Sequence, residues 1–135
     1  MMEVGQMYKH AFSFTQAQVE EFAKVSGDSN PLHLDADYAS TTVFKKPIIH
    51  GFLGGSVFSK ILGTLFPGEG TIYLKQNMEF LRPMYVDTPY EAILEVKEIE
   101  KEKNKAIVQT NIVDPASQKI VVKGEATVLN KEKIR

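Results

Sequence analysis

Cysteine is absent from all 135 residues. Its absence excludes disulfides, thiolate nucleophiles and cysteine-based zinc or iron–sulfur sites, and is compatible with a reducing compartment. Charge of one sign is also missing. Sixteen basic residues stand against seventeen acidic ones, a net charge of −1, so nothing argues for a nucleic-acid or anionic-membrane partner. The most apolar stretch, residues 48–66, is broken by His50, Ser56, Ser59, Lys60 and Thr64. A spanning helix needs about 20 mainly apolar residues, so this stretch reads as a buried core helix. The first twelve residues lack the basic-then-apolar pattern of a signal peptide, and a soluble, cytoplasmic protein is expected. There is no glycine-rich phosphate loop, no dinucleotide fingerprint and no serine in a nucleophile elbow. His10, His33 and His50 lack tight metal-ligand spacing, so no metal site is expected. No internal repeat or low-complexity segment occurs.

What is present is ordinary globular composition, 43% hydrophobic and 24% charged, in a length that suits one domain, 1–135. Tyr8, Phe12 and Phe14 lie in a weakly alternating strand at 7–14. Thr15 and Gln18 form a capping box ahead of a helix at about 16–25, which Gly27 ends. Pro31 fixes the loop that follows, and Asp35 caps a short helix at 36–41. The long apolar helix runs from near Gly51 to Leu65 or Phe66, where Pro67-Gly68-Glu69-Gly70 stops it.

Strand texture then takes over: 71–82, 90–100, 106–114 and 119–129, with Asn104 at the tip of a charged turn and Asp114-Pro115-Ala116-Ser117 as another. In 90–100, Ala92, Leu94, Val96 and Glu98 face one way, and Ile93, Glu95, Lys97 and Ile99 the other. The last six residues are expected to fray. A helix apolar nearly all round must be covered on most sides. The simplest cover is a curved antiparallel sheet, an α+β architecture with sheet wrapped around one central helix. Open sheet edges call for pairing, and a homodimer is expected.

Two stretches carry the chemistry. Ser26-Gly27-Asp28-Ser29-Asn30-Pro31-Leu32-His33 puts an acid, an amide and an imidazole into eight residues. As composition alone it is equally a surface turn. A lone histidine between Leu32 and Leu34 is also commonly a plain hydrogen-bonded residue. With a carboxylate nearby, His33 becomes half of an acid/base pair, since imidazole titrates near neutral pH. The second stretch, Ile49-His50-Gly51-Phe52-Leu53-Gly54-Gly55-Ser56, opens the apolar helix. Gly54 and Gly55 fit close packing. Gly51 falls at the helix start, where N–H groups have no internal partner and the dipole favours negative charge, including a developing oxyanion. His50 reads as structural in preference to catalytic.

Phe22-Ala23-Lys24-Val25-Ser26-Gly27-Asp28-Ser29-Asn30-Pro31-Leu32-His33, followed by Ala39 and Pro47-Ile48-Ile49-His50-Gly51, resembles the MaoC-like family of (R)-specific enoyl-CoA hydratases and dehydratases along essentially the whole chain. The resemblance implies a hot-dog fold, in which an antiparallel sheet wraps a long helix and dimerises into a continuous sheet. It implies that Asp28 and His33 activate the water added to a trans-2-enoyl thioester. Gly51 would polarise the thioester carbonyl, Asn30 would order the loop, and Ser59 would line the pocket. No cofactor is implied beyond the coenzyme A thioester that is the substrate. An acyl-CoA or acyl-carrier-protein thioester would be the partner, with the protein a homodimer or dimer of dimers. Three rivals stand beside (R)-specific hydration: dehydration of 3-hydroxyacyl-acyl carrier protein, thioester hydrolysis, and non-catalytic acyl-thioester binding.

Overall fold

Thr15 starts the first helix by the reciprocal bonding its spacing predicts. Its hydroxyl accepts the Gln18 N–H at 3.2 Å, and the Gln18 side chain accepts the Thr15 N–H at 2.9 Å. In the computed structural model, which describes residues 1–135, this helix is α1 (Gln16–Ser26). It closes at Gly27, whose φ of 80° is left-handed backbone that glycine adopts without strain. Two short helices follow, α2 (Pro31–Leu34) and α3 (Ala36–Ser40), and then the long α4 (Gly51–Thr64). The strands are β1 (Met7–Phe12), β2 (Ile72–Phe80), β3 (Tyr90–Glu100), β4 (Lys105–Asp114) and β5 (Lys119–Leu129). They form one antiparallel sheet in the order β1-β3-β4-β5-β2.

The sheet wraps α4. Leu53, Val57, Phe58, Ile61 and Leu62 of the helix are buried against Leu94, Val96, Val108, Ile112, Val122 and Val128 of the strands. Phe58, Ile61 and Leu62 are fully covered. Burying each such side chain contributes roughly 1.5–3 kcal/mol, which holds α4 to the sheet. Tyr90 is buried at the start of β3, and its hydroxyl accepts the Tyr85 N–H at 2.8 Å. Burial pushes this phenol's pKa up, against the lowering effect of the Tyr85 donor.

Three expectations need correction. Residues 31–34, read as loop, form α2, because the Asn30 side chain accepts the Leu32 N–H and Pro31 suits the first helical position. The alternation of β3 breaks after Val96, where a bulge shifts the pairing from Val96–Val108 to Glu98–Ile107. Glu98 is therefore exposed, and Ile99 packs on the core. The last six residues are tied down. Asn130 and Ile134 are buried, and Asn130 bonds Glu69 O and Thr71 Oγ1, each at 3.1 Å. The helix α4 is covered on most sides, as its apolar sequence predicts. Phe52, Ser56, Ser59 and Lys60 form an exposed stripe beside β2.

Candidate active site

The turn chemistry of residues 26–33 builds one wall of the site. The Asp28 N–H donates to Ser26 Oγ at 3.1 Å, and Asp28 Oδ1 accepts the Asn30 N–H at 3.2 Å. The Asn30 carbonyl in turn accepts the His33 N–H at 3.0 Å. Asn30 thus joins the acid to the imidazole through its own backbone while its side chain starts α2. Gln16 of α1 anchors the far end, its amide donating to His33 O at 3.0 Å.

Hydrogen bonding fixes the tautomer of His33. Nδ1 lies 2.7 Å from the Ile48 carbonyl, and a carbonyl only accepts, so Nδ1 carries the proton. The lone pair is left on Nε2. In the neutral ring the free acceptor is thereby one known atom, and the group that orients it is backbone.

Gly51 opens α4, so its N–H has no partner one turn back. A Cβ at Gly51 would meet the Phe80 ring at 2.7–3.0 Å, so any side chain there requires that ring to move. His33, Gly51 and Phe52 are shared by two adjoining cavities. One, of about 430 Å³, is mostly apolar and reaches Ile48, Phe80, Met84 and Val122. The other, of about 550 Å³, has a polar wall of Ser26, Asp28 and His50. A substrate with an apolar chain and a polar reacting end would lie across that junction.

Of the residues singled out in the sequence, the structure brings Asp28, Asn30, His33 and Gly51 together. Ser59 stands apart, exposed on α4 and lining neither cavity. His50, read as structural, lies inside the group. It is 2% exposed, and its ring stacks on His33 with centroids 3.9 Å apart. One ligand atom from each of Asp28, His33 and His50 lies within 4.8 Å of the others. These three are the residues that could hold a divalent cation, a grouping the chain spacing of the histidines concealed. The only signal in the sequence was the placing of His50 directly before the helix-opening glycine.

A sheet wrapped on one helix, with a carboxylate and an oriented imidazole beside a free helix N-terminus, defines the class. This is a hot-dog protein. The comparisons agree. A family model described as MaoC like domain matches residues 2–116. An (R)-specific enoyl-CoA hydratase of Aeromonas caviae is 42% identical over 127 residues, 94% of each chain. The solved (R)-hydratase from A. caviae involved in PHA biosynthesis superposes with a TM-score of 0.91 at 41% identity, over 96% of this chain and 97% of that one. A mitochondrial 3-hydroxyacyl-[acyl-carrier-protein] dehydratase of Arabidopsis thaliana is 30% identical over 131 residues, 96% of this chain and 78% of that protein. The chain belongs to the MaoC-like family and is a hydro-lyase.

Proposed function

We propose that the protein adds water to trans-2-enoyl-CoA to give (R)-3-hydroxyacyl-CoA, with Asp28 and His33 as the acid/base pair. The observation that carries this reading is the meeting of the His33 Nε2 lone pair, the Asp28 carboxylate and the Gly51 N–H at the junction of an apolar and a polar cavity. The thioester carbonyl accepts from Gly51, which favours the enolate-like charge that develops as water attacks C3. His33 Nε2 takes a proton from that water while Asp28 holds it, and a proton returns to C2 from the same face. Water's oxygen, one proton and the second proton are all accounted for, so the chemistry calls on no cofactor. Acid/base assistance is worth roughly 10²–10⁴ in rate, and one oxyanion donor about 10²–10³.

The choice of coenzyme A over a carrier protein rests on the full-length likeness to the A. caviae enzyme and on a net charge that offers no basic excess to an acidic carrier. Asn30 orders the loop. Ser59, exposed in a single chain, can reach a pocket only across an assembly. The assembly we propose is a homodimer formed at β2. That strand is a sheet edge, and Ile72, Leu74 and Phe80 along it are 42–54% exposed.

Asp28→Asn and His33→Ala test the roles. Each should lower kcat for enoyl-CoA hydration at least about 100-fold with little change in melting temperature. Near-normal turnover by either folded variant would remove its residue from the mechanism.

A further inference from the structure

His50 makes no use of its place at the start of α4, since its side chain caps nothing. Its imidazole turns inward instead. Nε2 lies 3.0 Å from the Asp28 carbonyl, so Nε2 bears the proton, and Nδ1 is buried with no partner. One face of the ring stacks on His33 at 3.9 Å and 27°, and the Phe22 ring lies 4.9 Å away, tilted by 57°. A buried acceptor without a donor is destabilising, and an aromatic hydrocarbon of similar size would avoid that cost. Packing alone therefore does not explain an imidazole here. What an imidazole provides, and a phenyl ring does not, is a flat face for His33 together with an N–H for the Asp28 backbone.

We infer that His50, with a proton on Nε2, is a positioning residue that clamps the Asp28 loop to the face of the His33 ring, setting the separation at which both act on one water. The inference rests on the acid/base reading of Asp28 and His33. The bond to Asp28 is through the main chain, so it fixes the loop without drawing on the carboxylate. The stacking fixes the His33 plane, which the Nδ1 bond to Ile48 leaves free to rock about a single contact. His50 also leads directly into Gly51, so one residue joins the acid, the base and the carbonyl-binding N–H. Misplacing reacting groups by about 1 Å can cost on the order of 100-fold in rate, which sets the size of the effect.

The test uses two substitutions and one spectroscopic measurement. His50→Phe keeps a stacking ring and loses the donor. His50→Gln loses the ring and keeps an N–H able to reach the Asp28 carbonyl. His50→Phe should lower kcat for enoyl-CoA hydration about 10- to 100-fold with KM unchanged within about twofold, and His50→Gln, which keeps the donor and loses the stacking face, should fall between His50→Phe and wild type. A folded His50→Phe enzyme with wild-type kcat overturns the inference, as does a folded His50→Gln enzyme no faster than His50→Phe. Imidazole nitrogen NMR of the wild-type protein decides the matter even where a variant fails to fold. At mildly alkaline pH, His33 should be the Nδ1–H tautomer and His50 the Nε2–H tautomer. An Nδ1–H tautomer at His50 would mean that the bond to Asp28 is not made. If the wild-type protein hydrates no enoyl thioester, the functional reading fails, whereas the NMR result still judges the clamp.

Discussion

Gly51 shows how narrow the tolerance of the site is. A single methyl there would stand 2.7 Å from Phe80 Cε1, but Phe80 is half exposed and can swing aside. Gly51→Ala should therefore lower kcat/KM by about tenfold or more while shifting the melting temperature little, since the ring moves out of the apolar cavity instead of straining the core. A large loss of melting temperature with normal kcat/KM would show that the glycine serves packing alone. Asp28, Asn30 and His33 were readable in the sequence because their bonding is local: Asp28 to Asn30, then Asn30 to His33, each within three residues. His50 was not readable as a site residue, because it meets Asp28 across 22 residues of chain. Spacing says nothing about that encounter until α4 has been docked.

Among the elements, the departures from expectation share a cause. Helix starts and stops at Thr15, Gly27 and Asp35 depend on neighbouring residues, and they fall where the sequence places them. The bulge in β3 depends on register with β4, so the side-chain alternation gave no warning that Ile99 would return to the core face. The terminal segment was judged by its charges. Its position is set by two uncharged residues, Asn130 and Ile134, which find partners in distant turns: Asn104 Nδ2 donates to Ile134 O at 2.7 Å, and Asn130 Nδ2 donates to Glu69 O at 3.1 Å. Ile134→Ala should cost about 2–5 kcal/mol, read as a lower denaturant midpoint with an unchanged slope. A midpoint equal to wild type would return the tail to the frayed state its composition suggests.

At the scale of the molecule, the sheet and helix leave one face unfinished. The exposed stripe of α4, with Phe52 and Ser56, and the edge strand β2, with Tyr73, Leu74, Lys75, Gln76 and Met78, together line a shallow depression of mixed polarity. Partial burial raises the Tyr73 phenol to about 12. A second copy pairing edge to edge would satisfy the β2 backbone and cover this depression. Light scattering should then report twice the 15.1 kDa chain mass. Leu74→Asp should shift the protein towards monomer, with loss of activity if Ser59 of one chain serves the other's pocket. A wild-type monomer would place the β2 edge in solvent and remove Ser59 from the site.

Hydration of crotonyl-CoA by the purified protein bears most directly on what the site does. Loss of the conjugated enoyl-thioester absorbance gives the rate, and chiral analysis of the product gives its hand. Rapid formation of (R)-3-hydroxybutyryl-CoA, abolished by Asp28→Asn, is the expected result. Release of free coenzyme A without a 3-hydroxy product, or tight acyl-CoA binding with no turnover of any enoyl chain, would contradict the hydratase assignment.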